Sequence, residues 1–591
     1  AVLQQQLDHP LSAAAIRHPD WKLRVILRSG ELERQDREPN QPLRRLRLLK
    51  QAVQEVSHTI CQEMGRQPPT TAPHRLGATM CFLRAIETHH WHKARKVAAG
   101  YPALAGMIDL DGRALHLDPG LARVREHAIE LARTTILEEL QEFHAQQAEL
   151  PDSVKASRRQ SINARIARLR PGAATALKAV QKADGEVTTD PASMAQALRE
   201  HWERTFARTP IDEGALEEWL KKTLPHPATR HESLPPPTSQ QWVIRRRDVA
   251  KAVRLSNNSA AGPDGIPYLA WRSLGDFGVD YLYDATRALT NPDALRLLSE
   301  AYPELPPGDH DFNLGSLCCL PKKATGHLPD GHEFYAADAT RPLTIVNCDN
   351  RLIASAARFR WEETLAEWVS PAQRGFLSSR SMLSNVIDID EQMMRVSLRT
   401  DKGALILFDF RAAFPSISHE YIMRTLQHIG LPPEAIQLIA CLYSSNRCNV
   451  SLHGTTFPGL EVTAGIRQGC PLSPLLFITV VDSLLRCLLQ DIRKAFPRAY
   501  ADDTALVVED LFRDLPTVQR IFTTFARVSG LNLNIPKTVI IPVGSLTPRQ
   551  VSLGLRVTNN VWRDVLCDDK GPVVFPLKAA KVRADEAMNR V

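Results

Sequence analysis

Asp409 closes the apolar run GALILFDF (403–410), and well downstream Asp502 and Asp503 stand side by side in AYADDTALVV (499–508). A run as apolar as GALILFDF belongs inside a protein, so a carboxylate at its end needs a cation or a partner. Adjacent carboxylates repel, by roughly 4 kcal/mol at about 4 Å in a protein-like medium. Three carboxylates converging from neighbouring strands make a hard-oxygen set of the kind Mg2+ or Mn2+ prefers. A bound cation also relieves the repulsion, because its charge outweighs that between the acids. Two such ions about 3.5–4 Å apart can activate an attacking hydroxyl and stabilise a leaving pyrophosphate in line. An acidic pair alone is also ordinary turn structure, since Asp favours turns. The surrounding motifs have to decide.

The elements that would position these acids begin near residue 240. Short β-rich runs there alternate with helices and glycine turns: GALILFDF, CNVSLHG (448–454), AYADDTALVV and TVIIPVG (538–544). Between the first two, Ser418 is a plausible N-cap, Ile422, Leu426 and Ile429 share a helical face, and Gly430 and Pro432 end the helix. RQGCPLSP is a glycine turn before a helix whose start Ser473 and Pro474 mark, with Ser473 as a plain N-cap. The mixture reads as α+β with antiparallel hairpins carrying the acids.

Residues 1–230 read as mainly helical. In 121–148, Ile129, Leu131, Ile136, Leu137 and Leu140 recur roughly at a helical period. DGEVTTDPASMAQALREHWERTF (184–206) predicts a turn, a short extended piece and a helix beginning near Asp190 and Pro191. LPHPATRHESLPPPTSQ (224–240) is the best linker candidate.

With 591 residues, 43% hydrophobic and 24% charged, the chain has globular composition and room for several domains. Its N-terminus lacks both an initiator Met and a secretion-signal pattern, which suggests a fragment or processed product. The apolar run 475–489 is interrupted by Asp482 and Arg486, so it reads as a buried helix rather than a membrane span. Ten scattered cysteines without a C-x-x-C pair suit reduced thiols inside a cell, in nucleus or cytoplasm. The formal charge is +7, with basic runs at 42–50, 92–96, 157–170 and 243–248. Such runs suit a polyphosphate partner or, more blandly, solvated helix faces.

The motifs FDFRAAFPSI (408–417), AGIRQGCPLSPLLF (464–477), AYADD (499–503) and SGLNLNIPKT (529–538) come in an order that resembles a reverse transcriptase of the non-LTR, LINE-like retrotransposon group. NNSAAGPDGIPY (257–268), LPKK (320–323), RPLTIVNCDNRLIASAARFR (341–360) and SPAQRGFLSSRSMLSNV (370–386) resemble upstream blocks of the same group. The resemblance covers about 240–545. It implies a right-hand polymerase, α+β with an antiparallel palm sheet. The implied organisation is a basic helical region over 1–230, a fingers-like part over 231–370, a palm over 371–545 and a partial thumb or truncated tail over 546–591.

The resemblance implies RNA-directed DNA synthesis from an RNA template, a DNA primer or target end, and dNTPs. Asp409, Asp502 and Asp503 would hold two Mg2+ ions (Mn2+ being possible), with Asp502 the more direct ligand of the acidic pair. Phe410 is placed among the metal ligands and substrate contacts. Phe414 stands where the family keeps the ring that abuts the sugar, although a buried core Phe is an equally credible reading of that residue alone. Gln468 resembles the glutamine lying against nucleotide and template, and Gly469 would let backbone approach the base pair. Lys537 resembles a lysine proposed near the leaving pyrophosphate. Lys322 and Arg341 are candidate triphosphate clamps, and Arg374 and Arg380 candidate template contacts.

The chain departs from the family where Ala413-Phe414 is followed by Pro415 instead of Asp, a position outside the core metal ligands. Residues 1–240 show no endonuclease motif, so an endonuclease would lie further N-terminal. The cluster Cys81, His89, His90, His92 lacks standard zinc-ligand spacing. Two other readings stay open: a decayed nucleic-acid-binding relic, and a maturase-like or domesticated reverse transcriptase.

Overall fold

Twelve strands and the helices around them make up this computed structural model, whose described residues are 10–38, 40–64, 72–87, 91–105, 118–146, 159, 162, 177–224, 234–302, 312–329, 331–453, 455–544 and 551–552. Nearly all of the arginine-rich run 157–170, most of the linker candidate, His89 and His90, and nearly all of the tail fall outside them. In chain order the strands are β1 (Val180–Gln181), β2 (Val187–Thr188), β3 (Gly315–Pro321), β4 (Gly326–His327), β5 (Glu333–Ala336) and β6 (Thr340–Val346). They continue as β7 (Ala404–Phe408), β8 (Arg447–Leu452), β9 (Thr455–Glu461), β10 (Phe496–Tyr500), β11 (Asp503–Val508) and β12 (Val539–Pro542). Each strand expected from the acid-bearing half of the sequence is present within a residue or two.

The sheet that matters for the site has the order β10-β11-β7-β12 and is antiparallel throughout. Its core strand, ALILF, is apolar at every position and buried at all but Leu407, with neighbours packed on both faces. On one face Ile406, Phe408, Leu506 and Val508 join the main core with residues of helices Ser473–Asp491 and Leu511–Ser529. On the other, Leu405, Ala505 and Val507 pack with Met393 and Val396 of helix Met382–Ser397. A second sheet, β6-β3-β8-β9, lies against the site, and β2-β1-β5-β4 forms a third.

Helix Ser473–Asp491 is long and apolar enough to cross a membrane, yet 78% of that stretch is buried within the protein. Asp482 inside it is neutralised by Arg486 at 2.6 Å, and Arg486 also donates to the carbonyl of Trp368. It is a core helix. Its start corrects one expectation: Ser473 is the first helical residue, not the N-cap, and its hydroxyl is bonded to that of Tyr443. The helix at His419–His428 forms as expected, with the Ser418 hydroxyl accepting from the N–H of Tyr421. Asp190 likewise caps Pro191–Thr205 through the N–H of Ser193.

Helices Trp21–Gln35 and Pro42–Met64 share one hydrophobic core with residues 249–301 and 348–369. The cations of the basic run 42–50 are largely paired within the chain. Arg44 pairs with Asp36, Arg45 with Glu33 and Asp284, and Arg47 donates to the carbonyl of Ala301. Lys50, buried, lies 3.0 Å from both Asp264 and Asp349. In the run 243–248, Arg246 pairs with Asp276 and Asp280. Helices Ala72–Glu87, Trp91–Ala99 and Asp118–Gln146 build a separate core of their own. Leu137, expected on the buried face of the last, is 61% exposed because only one side of that helix is covered.

Candidate active site

Backbone register brings the three acids to one end of one sheet. Strands β7 and β11 pair as far as Thr504 opposite Phe408, and Asp503 and Asp409 are the next residues along the two segments. Strands β10 and β11 pair Tyr500 with Asp503, leaving Ala501 and Asp502 as a two-residue hairpin tip. Ala501 has φ +62°. A positive φ at the first loop position alone is the type II′ pattern that matches strand twist. Asp502 is therefore held at the tip, beside Asp503.

Burial, and after it the charges of Asp503 and Asp409, pushes the Asp502 carboxyl above the usual carboxylate range. Burial and Asp409 do the same to Asp503. These shifts are the signature of carboxylates crowded together short of a counter-charge. Among the described residues no three His, Cys, Asp or Glu side chains are gathered closely enough to be a ready-made metal cage.

Cations stand across from the acids. Lys322 follows β3, its N–H bonded to the carbonyl of Ala339 and its ammonium 3.1 Å from the carbonyl of Asp338. Arg341 is exposed on β6, opposite Leu320. Lys537 is exposed in the single turn Ile535–Lys537 before β12. Burial, then Lys537 and then Arg341, lowers the pKa of Lys322, while Asp338 and Asp409 oppose the shift. Two loops and a strand far apart in sequence thus bring Lys537 and Arg341 close enough to Lys322 to be felt there, with Asp409 also in reach of Lys322.

The remaining residues singled out from sequence divide by what they touch. The Phe414 ring is half-buried and stacked on Phe477 at 4.5 Å and 13°, with Phe376 edge-on at 6.1 Å. The Phe410 ring is buried against Phe522 and Phe525, which corrects any expectation of a side-chain contact to substrate or metal. Only its backbone is left for the site. Gln468 accepts the N–H of Thr344 on its carbonyl, which fastens the turn to β6 and leaves the side chain half-exposed. Gly469, at φ +117°, has a reason within the fold: a Cβ there would lie 2.9 Å from the carbonyl oxygen of Thr344.

Arg374 is paired with Asp388 at 2.7 Å, as is Arg498 at 2.9 Å. Arg380 donates to the carbonyls of Ala366, Val369, Ser370 and Gln373, closing the end of helix Cys348–Trp368. That bonding is intramolecular, not the template contact expected of it. Pro415 is buried in the short helix Ala413–Ser416, so the departure from the family pattern sits inside the fold.

Two residues that the sequence reading did not single out hold the acids in place. Asn534 bonds Asp409, and Gln373 bonds the hairpin tip at Ala501. Both lie in motifs quoted for the resemblance, and that was the available signal.

Carboxylates gathered at one end of an antiparallel sheet, with phosphate-seeking cations opposite, are the makings of a nucleotidyl-transfer site. Residues 320–553 match the family described as reverse transcriptase (RNA-dependent DNA polymerase), and this stretch is a reverse transcriptase domain. Similar proteins include the Transposon TX1 uncharacterized 149 kDa protein of Xenopus laevis, 29% identical over 383 residues, 61% of this chain and 26% of that protein. The Retrovirus-related Pol polyprotein from type-1 retrotransposable element R2 of Popillia japonica is 30% identical over 215 residues, 35% of this chain and 30% of that protein. That from type-2 retrotransposable element R2DM of Drosophila melanogaster is 26% identical over 305 residues, 50% of this chain and 26% of that protein. The chain spans between a quarter and a third of the length of these curated relatives. They are non-LTR retrotransposon proteins.

Proposed function

We propose that the chain is an RNA-directed DNA polymerase of a non-LTR retrotransposon, adding dNTPs to a primer or target-end 3′-hydroxyl against an RNA template inside the cell. The observation that carries this is that Asp503 and Asp409 follow directly on the pairing of β11 with β7, with Asp502 at the adjoining hairpin tip and Lys322 in reach of Asp409, within a reverse transcriptase domain. In this reading β10-β11-β7-β12 is the palm sheet, and β3 and β6, within 231–370, belong to the fingers.

The donor set fits Mg2+ or Mn2+: three hard carboxylates, two of them carrying pKa values raised by burial and mutual charge, which a divalent cation would relieve. Asp409, Asp502 and Asp503 would hold the ions, with the backbone of Phe410 beside them. When bound, the metal supplies Lewis-acid activation of the 3′-hydroxyl and neutralises the leaving pyrophosphate. Lys322 and Arg341 take the triphosphate oxygens. Lys537 offsets charge on the pyrophosphate as the bond between the α-phosphorus and its bridging oxygen breaks. Phe414, backed by Phe477, would clash with a 2′-hydroxyl and so favour deoxynucleotides.

Primer extension on an annealed RNA template with Mg2+ tests the reading, comparing the chain with Asp502→Asn. Extension by the unmutated chain and its loss in the variant, with template–primer binding retained in both, is the expected result. Binding without any nucleotide addition by the unmutated chain would leave a nucleic-acid-binding relic instead.

A further inference from the structure

Asp502 does not set its own position; the residue before it does. Ala501 sits at φ +62°, a backbone region that residues with a side chain rarely adopt. What holds it there comes from a segment far away in the chain. Residues 372–374 run beside β10, with the N–H of Ala499 bonded to the carbonyl of Ala372 and the N–H of Arg374 to the carbonyl of Ala499, each at 2.8 Å. From that segment the side chain of Gln373, fully buried, reaches the hairpin tip. Its Oε1 accepts the N–H of Ala501 at 2.9 Å, and its Nε2 donates to the carbonyl of Ala501 at 3.1 Å.

The same Oε1 accepts the N–H of Gly375 at 2.8 Å. Gly375 lies so close that a Cβ on it would be 2.2 Å from the nitrogen of Ala501. Asn385 adds a bond from its Nδ2 to the carbonyl of Ala499 at 2.9 Å. Both polar groups of one strained peptide residue are thus bonded by a single uncharged side chain. Glutamine suits the task because it accepts and donates at once. A glutamate keeps the acceptor but sets a carboxylate against the Ala501 carbonyl. A methionine fills the space and makes neither bond.

We propose that Gln373 is the positioning residue for Asp502, fixing the left-handed turn at Ala501 so that the carboxylate stands beside Asp409 and Asp503. This deepens the polymerase reading and rests on it. Nothing about Gln373 touches substrate; it acts through Ala501.

The test is single-nucleotide primer extension by the full chain and its Q373M and Q373E variants, each made also in an A501G background. Glycine adopts φ +62° without help, so it should replace part of what the glutamine does. The expected result is a kcat lowered by about 10–100-fold in Q373M and Q373E, as for residues that orient a metal ligand. KM for dNTP and for template–primer should change little, and the loss should shrink several-fold in the A501G background. Folded fraction is followed by circular dichroism in every variant. A loss that tracks the folded fraction, or is equal in both backgrounds, overturns the proposal. Mn2+ binding measured by electron paramagnetic resonance keeps the two readings separable. If the unmutated chain adds no nucleotide, the polymerase reading fails, yet weaker Mn2+ binding in Q373M than in the unmutated chain would still support positioning. Equal Mn2+ binding would overturn it.

Discussion

Asn534 grips Asp409 at two points: its N–H donates to the Asp409 carbonyl at 2.7 Å, and its Nδ2 donates to the carboxylate at 3.0 Å. One bond fixes the backbone beyond the end of β7, and the other leaves one oxygen of the carboxylate directed. Substituting Asn534→Ala should lower primer extension by about 10–100-fold and raise the Mg2+ concentration needed for half-maximal rate. A magnesium titration of extension rate checks this, and an unchanged requirement would count against the orienting role.

Phe414 presents a ring supported from behind by Phe477. Phe414→Ala should narrow the preference for dNTP over rNTP by about 10–200-fold, in the range that pocket contacts can supply. Competing single-turnover incorporation of the two nucleotides measures it. A preference unchanged in the variant would make Phe414 a packing residue only.

Lys322 predicts a pH dependence. Burial and the cations Lys537 and Arg341 lower its pKa, so it sheds its proton at a lower pH than an ordinary lysine. The cationic form is the one that binds phosphate, so kcat/KM for dNTP should fall on the alkaline side beginning below about pH 10, the free lysine range. Lys322→Arg should flatten that limb, because arginine stays charged throughout. Extension rates at subsaturating dNTP across the alkaline range decide it.

Lys50 is buried between Asp264 and Asp349. Lys50→Met removes the cation and leaves two buried acids facing each other, at an expected loss of about 3–5 kcal/mol of stability. Adding Asp264→Asn and Asp349→Asn to that variant should recover part of the loss. Urea denaturation followed by tryptophan fluorescence measures both.

The strands around the acids could be read from sequence because their signal is local. An unbroken apolar run such as ALILF has no other home than the middle of a covered sheet, and the hairpin tip at Ala501 and Asp502 follows from the two runs on either side. Asp409, Asp502 and Asp503 were singled out by the ordered motifs that carry the resemblance, since an acidic pair alone is ordinary turn structure. Gln373 was not, since its partner lies 128 positions away and an uncharged side chain in a loop carries no pattern. The pairings of the run 42–50 could not be read from sequence, because Asp36, Glu33 and Asp349 reach it from other elements. Leu137 misled: periodicity marks an apolar stripe but not how much of it a neighbour covers. Arg380 could be recognised as a residue of the motif, but only the fold reveals that four carbonyls take its guanidinium.

The bond from Lys50 to Asp349 spans 299 positions. During synthesis, at about 5–20 residues per second, the lysine waits on the order of 15–60 s for its second carboxylate to be made. Through that interval Lys50 lacks Asp349, and the helix Pro42–Met64 lacks much of the core that Leu43, Leu46 and Leu49 will enter. This helix therefore leaves the ribosome well before many of the residues it packs against and settles late, and a chaperone that shelters an amphipathic helix would have its task there until residue 349 is made.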